Sequence, residues 1–120
     1  MKILVIEDNP DIKEVLDYIL ADEGYEVMAF SDASSLEVLD QLKPDLILID
    51  EILADVRGSD LIKKLKVCPI SGQIPVILKS AMPGLKEIAA ECGATAYIEK
   101  PFDIDTITEV IKNILLPKQG

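Results

Sequence analysis

The stretch Pro44-Asp45-Leu46-Ile47-Leu48-Ile49-Asp50-Glu51 constrains this chain more than any other. Consecutive aliphatic residues stand between a proline turn and an acidic pair. A short apolar run without alternation reads as a strand buried on both faces. It ends in Asp50, and a carboxylate at the mouth of a buried strand costs free energy unless another group compensates its charge.

Residues 3–6 form a second aliphatic run, ending in Glu7-Asp8-Asn9-Pro10. Asn9 is a helix-cap candidate and Pro10 suits a first helical position. Ile12, Val15, Leu16, Ile19 and Leu20 then follow helical spacing up to Gly24, a stop signal. Glu26–Phe30 predicts a strand. Ser34-Ser35-Leu36-Glu37 offers a capping box for a helix with Leu36, Leu39 and Leu42 on its face. After the strand ending at Asp50, a loop runs to Gly58, Leu61, Ile62 and Leu65 mark a third helix, and residues 69–72 read as a break. Residues 75–78 predict a strand that ends in Lys79-Ser80. Leu85, Ile88, Ala89 and Cys92 mark a fourth helix closed by Gly93. Residues 95–98 predict a fifth strand, ending in Glu99-Lys100-Pro101. Asp103 caps the last helix, Phe102 and Ile107 can staple its start, and Ile104, Ile107, Val110, Ile111 and Ile114 supply its face.

Strand and helix thus alternate five times. Strands apolar throughout need helices on both faces of the sheet, so the sheet is expected to be parallel. Such sheets bind ligands outside the carboxyl ends of their strands, where strand order reverses. The polar residues fall there: Glu7 and Asp8 after the first strand, Asp50 at the third, Ser80 at the fourth and Lys100 at the fifth. Singly, each has a plainer reading. Asp8 or Asn9 can be a cap, Asp50 a solvated loop acid, Ser80 a turn residue and Lys100 a surface charge. Their joint arrival at one sheet edge carries the argument.

Composition narrows the function. With 12 basic against 22 acidic residues, the net charge of −10 disfavours a nucleic-acid surface and suits a cation site or a basic partner. The absence of histidine removes His-based triads and most zinc sites. Cys68 and Cys92 form no CxxC and are expected to be reduced thiols in or near the core of a cytoplasmic protein. No apolar run reaches the ~18 residues of a membrane span. Three carboxylates in one pocket repel, and a divalent cation relieves the conflict; hard oxygen ligands favour Mg²⁺. A carboxylate beside such an ion can attack phosphorus, and an ammonium and a hydroxyl can stabilise the transferred group.

The segments at residues 3–9, 44–50 and 75–81, with Gly93-Ala94 and Tyr97-Ile98-Glu99-Lys100-Pro101-Phe102, resemble the receiver domains of bacterial two-component response regulators over nearly the whole chain. The resemblance implies a flavodoxin-like doubly wound α/β fold, (βα)5, with a five-stranded parallel sheet of order 2-1-3-4-5 and helices on both faces. It implies one receiver domain over residues 1–120, with 116–120 as a tail. Asp50 becomes the phosphoacceptor. Asp8 and Asp50 become direct Mg²⁺ ligands joined by the backbone carbonyl of Ile52, with Glu7 acting through water. Ser80 and Lys100 contact the phosphoryl group, and Ser80 and Tyr97 form the switch. A sensor histidine kinase or histidine phosphotransfer protein supplies the phosphoryl group. A downstream protein target reads the face of the fourth helix, fifth strand and fifth helix, and phosphorylation-dependent dimerisation is an open outcome. No turnover of external substrates, direct nucleic-acid contact or membrane contact is expected.

The main rival is a pseudo-receiver that is not phosphorylated and serves only as an interaction module; the full set Glu7, Asp8, Asp50, Ser80 and Lys100 argues against it. A Walker-type NTPase lacks its GxxxxGK[ST] here. A haloacid-dehalogenase-type phosphatase expects an acid where Ile52 stands. A flavin carrier would need a phosphate loop where Glu7-Asp8 stands. The chain departs from the family at Glu7, where Asp is more usual, at Ala54, where proline is frequent, and at Lys79, where an apolar residue is usual. The Ala81-Met82-Pro83-Gly84 connection is slightly shortened. In the resembled family, the residues two after the phosphoacceptor and two after the Ser/Thr flank the hydrolytic water. Here these are Ile52 and Met82, both apolar, which predicts a long-lived phosphorylated state.

Overall fold

The aliphatic runs form the centre of a parallel sheet. The structure is a computed structural model that describes residues 1–32, 34, 37, 39–54, 56–69, 71–99 and 103–115. Along the chain the elements are β1 (Lys2–Ile6), α1 (Pro10–Asp22), β2 (Glu26–Phe30), α2 (Leu39–Leu42), β3 (Leu46–Asp50), α3 (Gly58–Lys66), β4 (Val76–Ser80), α4 (Leu85–Cys92), β5 (Ala96–Glu99) and α5 (Ile104–Leu115). The sheet runs β2-β1-β3-β4-β5, and every neighbouring pair is parallel. The order reverses at β1 and β3, the place where such folds open a crevice.

Side chains alternate across a strand, so each aliphatic run supplies two cores. Ile3, Val5, Leu46, Leu48 and Ile77 pack with Leu16 and Leu20 of α1 and Ile107 and Ile111 of α5. Leu4, Ile6, Ile47, Ile49, Val76 and Leu78 pack with Leu39 of α2, Ile62 and Leu65 of α3, and Leu85 and Ala89 of α4. The continuous apolar character of β1, β3 and β4 follows from this burial on both faces.

Local signals set most boundaries. Asn9 caps α1, its Oδ1 accepting from the N–H groups of Asp11 (3.0 Å) and Ile12 (3.2 Å), with Pro10 in the first turn. Gly93 ends α4 at φ 85°, a left-handed conformation that glycine adopts without steric cost. Asp103 Oδ1 accepts from the Thr106 N–H at 2.7 Å and from the Thr106 hydroxyl at 2.8 Å, which caps α5.

Several expectations need correction. Val15 and Ile104, assigned to buried helix faces, are each 53% exposed. In the segment expected to form the second helix, Ser34 and Glu37 lie in 3-10 turns and α2 spans Leu39–Leu42. The Ser34 hydroxyl and N–H both donate to Asp32 Oδ1, so this serine closes a local turn with Asp32. Ser35 and Leu36 of the expected capping box, Phe102 of the expected staple and residues 116–120 of the expected tail lie outside the described residues. The break after α3 contains a short 3-10 turn, Ser71–Gln73, and Lys66 Nζ donates to the carbonyls of Gly72 (3.2 Å) and Ile74 (3.1 Å) beside it. Cys92 is buried as expected, whereas Cys68 is exposed. Burial pushes the Cys92 thiol up, with the Glu51 charge adding to it, as suits a packing thiol rather than a nucleophile.

Candidate functional site at the carboxyl edge of the sheet

Strand register builds the site. β1 and β3 pair Ile6 with Ile49, and β3 and β4 pair Asp50 with Lys79. Glu7, one residue past Ile6, therefore stands level with Asp50 and Lys79 across the three central strands. Strand alternation turns all three toward the side on which α1 and α5 pack. They are almost fully buried: Lys79 is 0% exposed, Glu7 1% and Asp50 4%.

A buried ammonium is tolerated only when paired. Lys79 Nζ donates to Glu7 Oε1 and lies 3.4 Å from Asp50 Oδ2. The second Glu7 oxygen accepts from the Asn9 N–H at 3.1 Å, which ties the row to the start of α1. Asp50 Oδ1 accepts from the Ile52 N–H at 3.3 Å. Asp8 is exposed at the rim. Glu7, Asp8 and Asp50 can each present one carboxylate oxygen within 4.8 Å of the others, a spacing that fits a divalent cation with hard oxygen ligands. These acids, with Ile52, Ser80 and Met82, line a cleft of about 510 Å³.

Ser80 is buried at the end of β4 and its Oγ accepts from the Met82 N–H at 3.2 Å. It points to the opposite face from Lys79. On that face Leu78 pairs with Tyr97, which is half-buried and packs against the core under α3 and α4. Ser80 and Tyr97 thus share one side of the sheet on adjacent strands. Ile52 is 52% exposed and forms an isolated antiparallel bridge with Arg57. Lys100 lies outside the described residues.

Three contributors went unrecognised in the sequence. Lys79 was legible only as a departure; counting register from the aliphatic runs would have placed its ammonium beside Glu7 and Asp50. Glu51 is fully buried, its carboxylate accepting from the Ser59 N–H (2.7 Å) and hydroxyl (2.9 Å). It thereby satisfies the start of α3, where Arg57 provides no side-chain cap. Gly58 lies so close to β3 that a Cβ there would sit 2.3 Å from the Asp50 carbonyl oxygen. No local sequence signal marks these long-range contacts.

Residues 3–112 match the response regulator receiver domain family. The chain belongs to this family. Its fold is that of the receiver domains of two-component signalling, a parallel sheet of order 2-1-3-4-5 between helices. It is 33% identical over 117 residues to sporulation initiation phosphotransferase F of Bacillus subtilis, a match covering 95% of this chain and 93% of that protein. It is 31% identical over 104 residues to the DNA-binding response regulator MtrA of Mycolicibacterium smegmatis, covering 84% of this chain and 44% of that protein, so it spans under half of this longer relative. Among solved structures, the response regulator protein TrrA of Thermotoga maritima, in complex with Mg²⁺-BeF, superposes with a TM-score of 0.84 at 25% identity, covering 95% of this chain and 98% of that one. No helix among the described residues is long and apolar enough to cross a membrane.

Proposed function

We propose that this receiver is a Mg²⁺-dependent phosphoacceptor and that Asp50 carries the phosphoryl group. The observation that carries the reading is the convergence of Glu7, Asp8 and Asp50 on one cleft at the strand-order reversal, with Ser80 lining the same cleft. The metal would be held by Asp8, Asp50 and the Ile52 carbonyl, with Glu7 acting through water. When bound, Mg²⁺ supplies positive charge against the carboxylates and the transferred phosphoryl oxygens.

This chain's residues do the rest. An Asp50 oxygen attacks phosphorus as the bond from phosphorus to the donor breaks, and the donor leaves with that electron pair. The donor is a phosphohistidine of a sensor kinase or phosphotransfer protein, or a small acyl phosphate. The Ser80 hydroxyl donates a hydrogen bond to a phosphoryl oxygen, and Lys100 supplies a compensating ammonium. The product is a signalling state read by a protein target, without turnover of external substrates. The charge of −10 disfavours direct nucleic-acid contact by this domain.

Intact-mass measurement after incubation with Mg²⁺ and acetyl phosphate tests the reading. One added phosphoryl group is expected in the wild type and none in Asp50→Asn. Wild-type mass gain persisting in Asp50→Asn removes Asp50 from the role.

A further inference from the structure

The buried row at the sheet edge holds a cation of its own. Lys79 occupies a β4 position that is fully enclosed, and its ammonium is shared between Glu7 and Asp50, two of the three carboxylates that define the metal site. We propose that Lys79 is an internal counter-cation that competes with the divalent metal for Glu7 and Asp50. It thereby sets a weak Mg²⁺ affinity in this receiver. This inference rests on the Mg²⁺ site described under the proposed function.

The argument is one of charge and of ligand supply. Three carboxylates alone would present three negative charges to an incoming ion. With the ammonium among them, part of that attraction is cancelled at short range, where the low local dielectric makes each charge count most. Ligand supply falls as well. Both Glu7 oxygens are engaged, one by Lys79 and the other by the Asn9 N–H. One Asp50 oxygen faces Lys79. Exposed Asp8 at the rim therefore becomes the carboxylate most open to an arriving ion. An ion that draws Asp50 or Glu7 away from the ammonium leaves a fully buried cation less well paired, and that cost falls on metal binding. Conversely, Lys79 relieves carboxylate repulsion before any ion arrives, so the fold does not depend on metal to hold Glu7 and Asp50 side by side.

Lys79→Met removes the charge while keeping an unbranched apolar stem. Lys79→Gln also removes it but retains an N–H donor for Glu7, which covers the case in which Met at this buried site fails to fold. Mg²⁺ affinity is measured by isothermal titration calorimetry without phosphodonor, on the full chain, with circular dichroism to verify folding. Asp8→Ala serves as the control for the site. Mg²⁺ is expected to bind about tenfold or more tightly to the folded Lys79 variants than to the wild type, from loss of one short-range like charge. The rise in melting temperature at a fixed Mg²⁺ concentration should also be larger in these variants. Equal or weaker affinity in the Lys79 variants, with Asp8→Ala still impaired, overturns the role of Lys79 and leaves the metal site standing. Affinity unaffected by Asp8→Ala, or no Mg²⁺ binding by any variant, overturns the metal site and this inference with it.

Discussion

Gly58 has no room for a side chain, and the obstacle is the backbone of the proposed phosphoacceptor. A Cβ at Gly58 would lie 2.3 Å from the Asp50 carbonyl oxygen and 3.2 Å from the Glu51 Cα, so one of the two segments must move. Gly58→Ala is expected to destabilise the fold by about 1–3 kcal/mol, the usual cost of overpacking, as read by urea denaturation. It should also slow acetyl phosphate labelling by displacing Asp50; unchanged stability would show that the contact relaxes freely. The acids of the cleft were legible because each ends an aliphatic run, whereas Gly58, Glu51 and Lys79 act through partners fixed only by the fold. Ile52 and Met82 were legible by position, and both line the cleft. Neither side chain can orient an attacking water by a strong hydrogen bond, and each lost positioning contact slows hydrolysis about tenfold per ~1.4 kcal/mol. Ile52→Asn and Met82→Glu should therefore shorten the lifetime of the phosphorylated form. Decay in both variants and in the double variant no faster than in the wild type would show that these side chains do not control the water.

At the scale of elements, α5 offers a measurable end. The Thr106 N–H, followed by its hydroxyl, holds the Asp103 carboxyl below the ordinary aspartate range. A folded-state value lowered in this way means that the cap contributes fully above the unfolded pKa of about 3.9 and loses its contribution as pH falls through the lower folded value. Asp103→Ala should therefore melt below the wild type near neutral pH, with the difference shrinking as the solution is acidified below about pH 3.9. A difference independent of pH, followed by circular dichroism, would place the effect outside the carboxylate. The same cap was readable in advance because both partners lie within one turn. The central strands were readable because burial on both faces leaves long aliphatic runs, at residues 3–6, 46–49 and 76–78. Local rules failed where a side chain had another partner: Ser34 turns to Asp32, and Thr95, expected to open β5, stands just before it with its Oγ1 accepting from the Val76 N–H at 3.1 Å.

Across the whole molecule, the alternation of strand and helix foretold a parallel sheet with Glu7, Asp8 and Asp50 gathered at one edge, while the strand order came from family resemblance, since periodicity alone does not say which strands are neighbours. The face beyond that edge is where phosphorylation should be felt. Ser80 Oγ now accepts from the Met82 N–H, so the hydroxyl anchors the connection into α4. A phosphoryl group on Asp50 would offer strong charged acceptors for the hydroxyl proton. Rotation of Ser80 toward them would weaken its hold on Met82 and open space on the side of the sheet that Tyr97 shares. Tyr97, half-buried against the core beneath α3 and α4, can then turn inward. Such a change is a shift between two arrangements biased by differential contacts, and each ~1.4 kcal/mol of bias changes their ratio tenfold. Ser80→Ala retains Asp50 and should still accept phosphoryl, at a reduced rate, but should lose most of the change at α4, β5 and α5. Tyr97→Ala should be phosphorylated as the wild type is and lose the response of the same face. Amide hydrogen exchange, compared before and after phosphorylation to equal extent, reads both. Equal exchange changes on that face in the wild type and both variants would show that the signal leaves the site by another route.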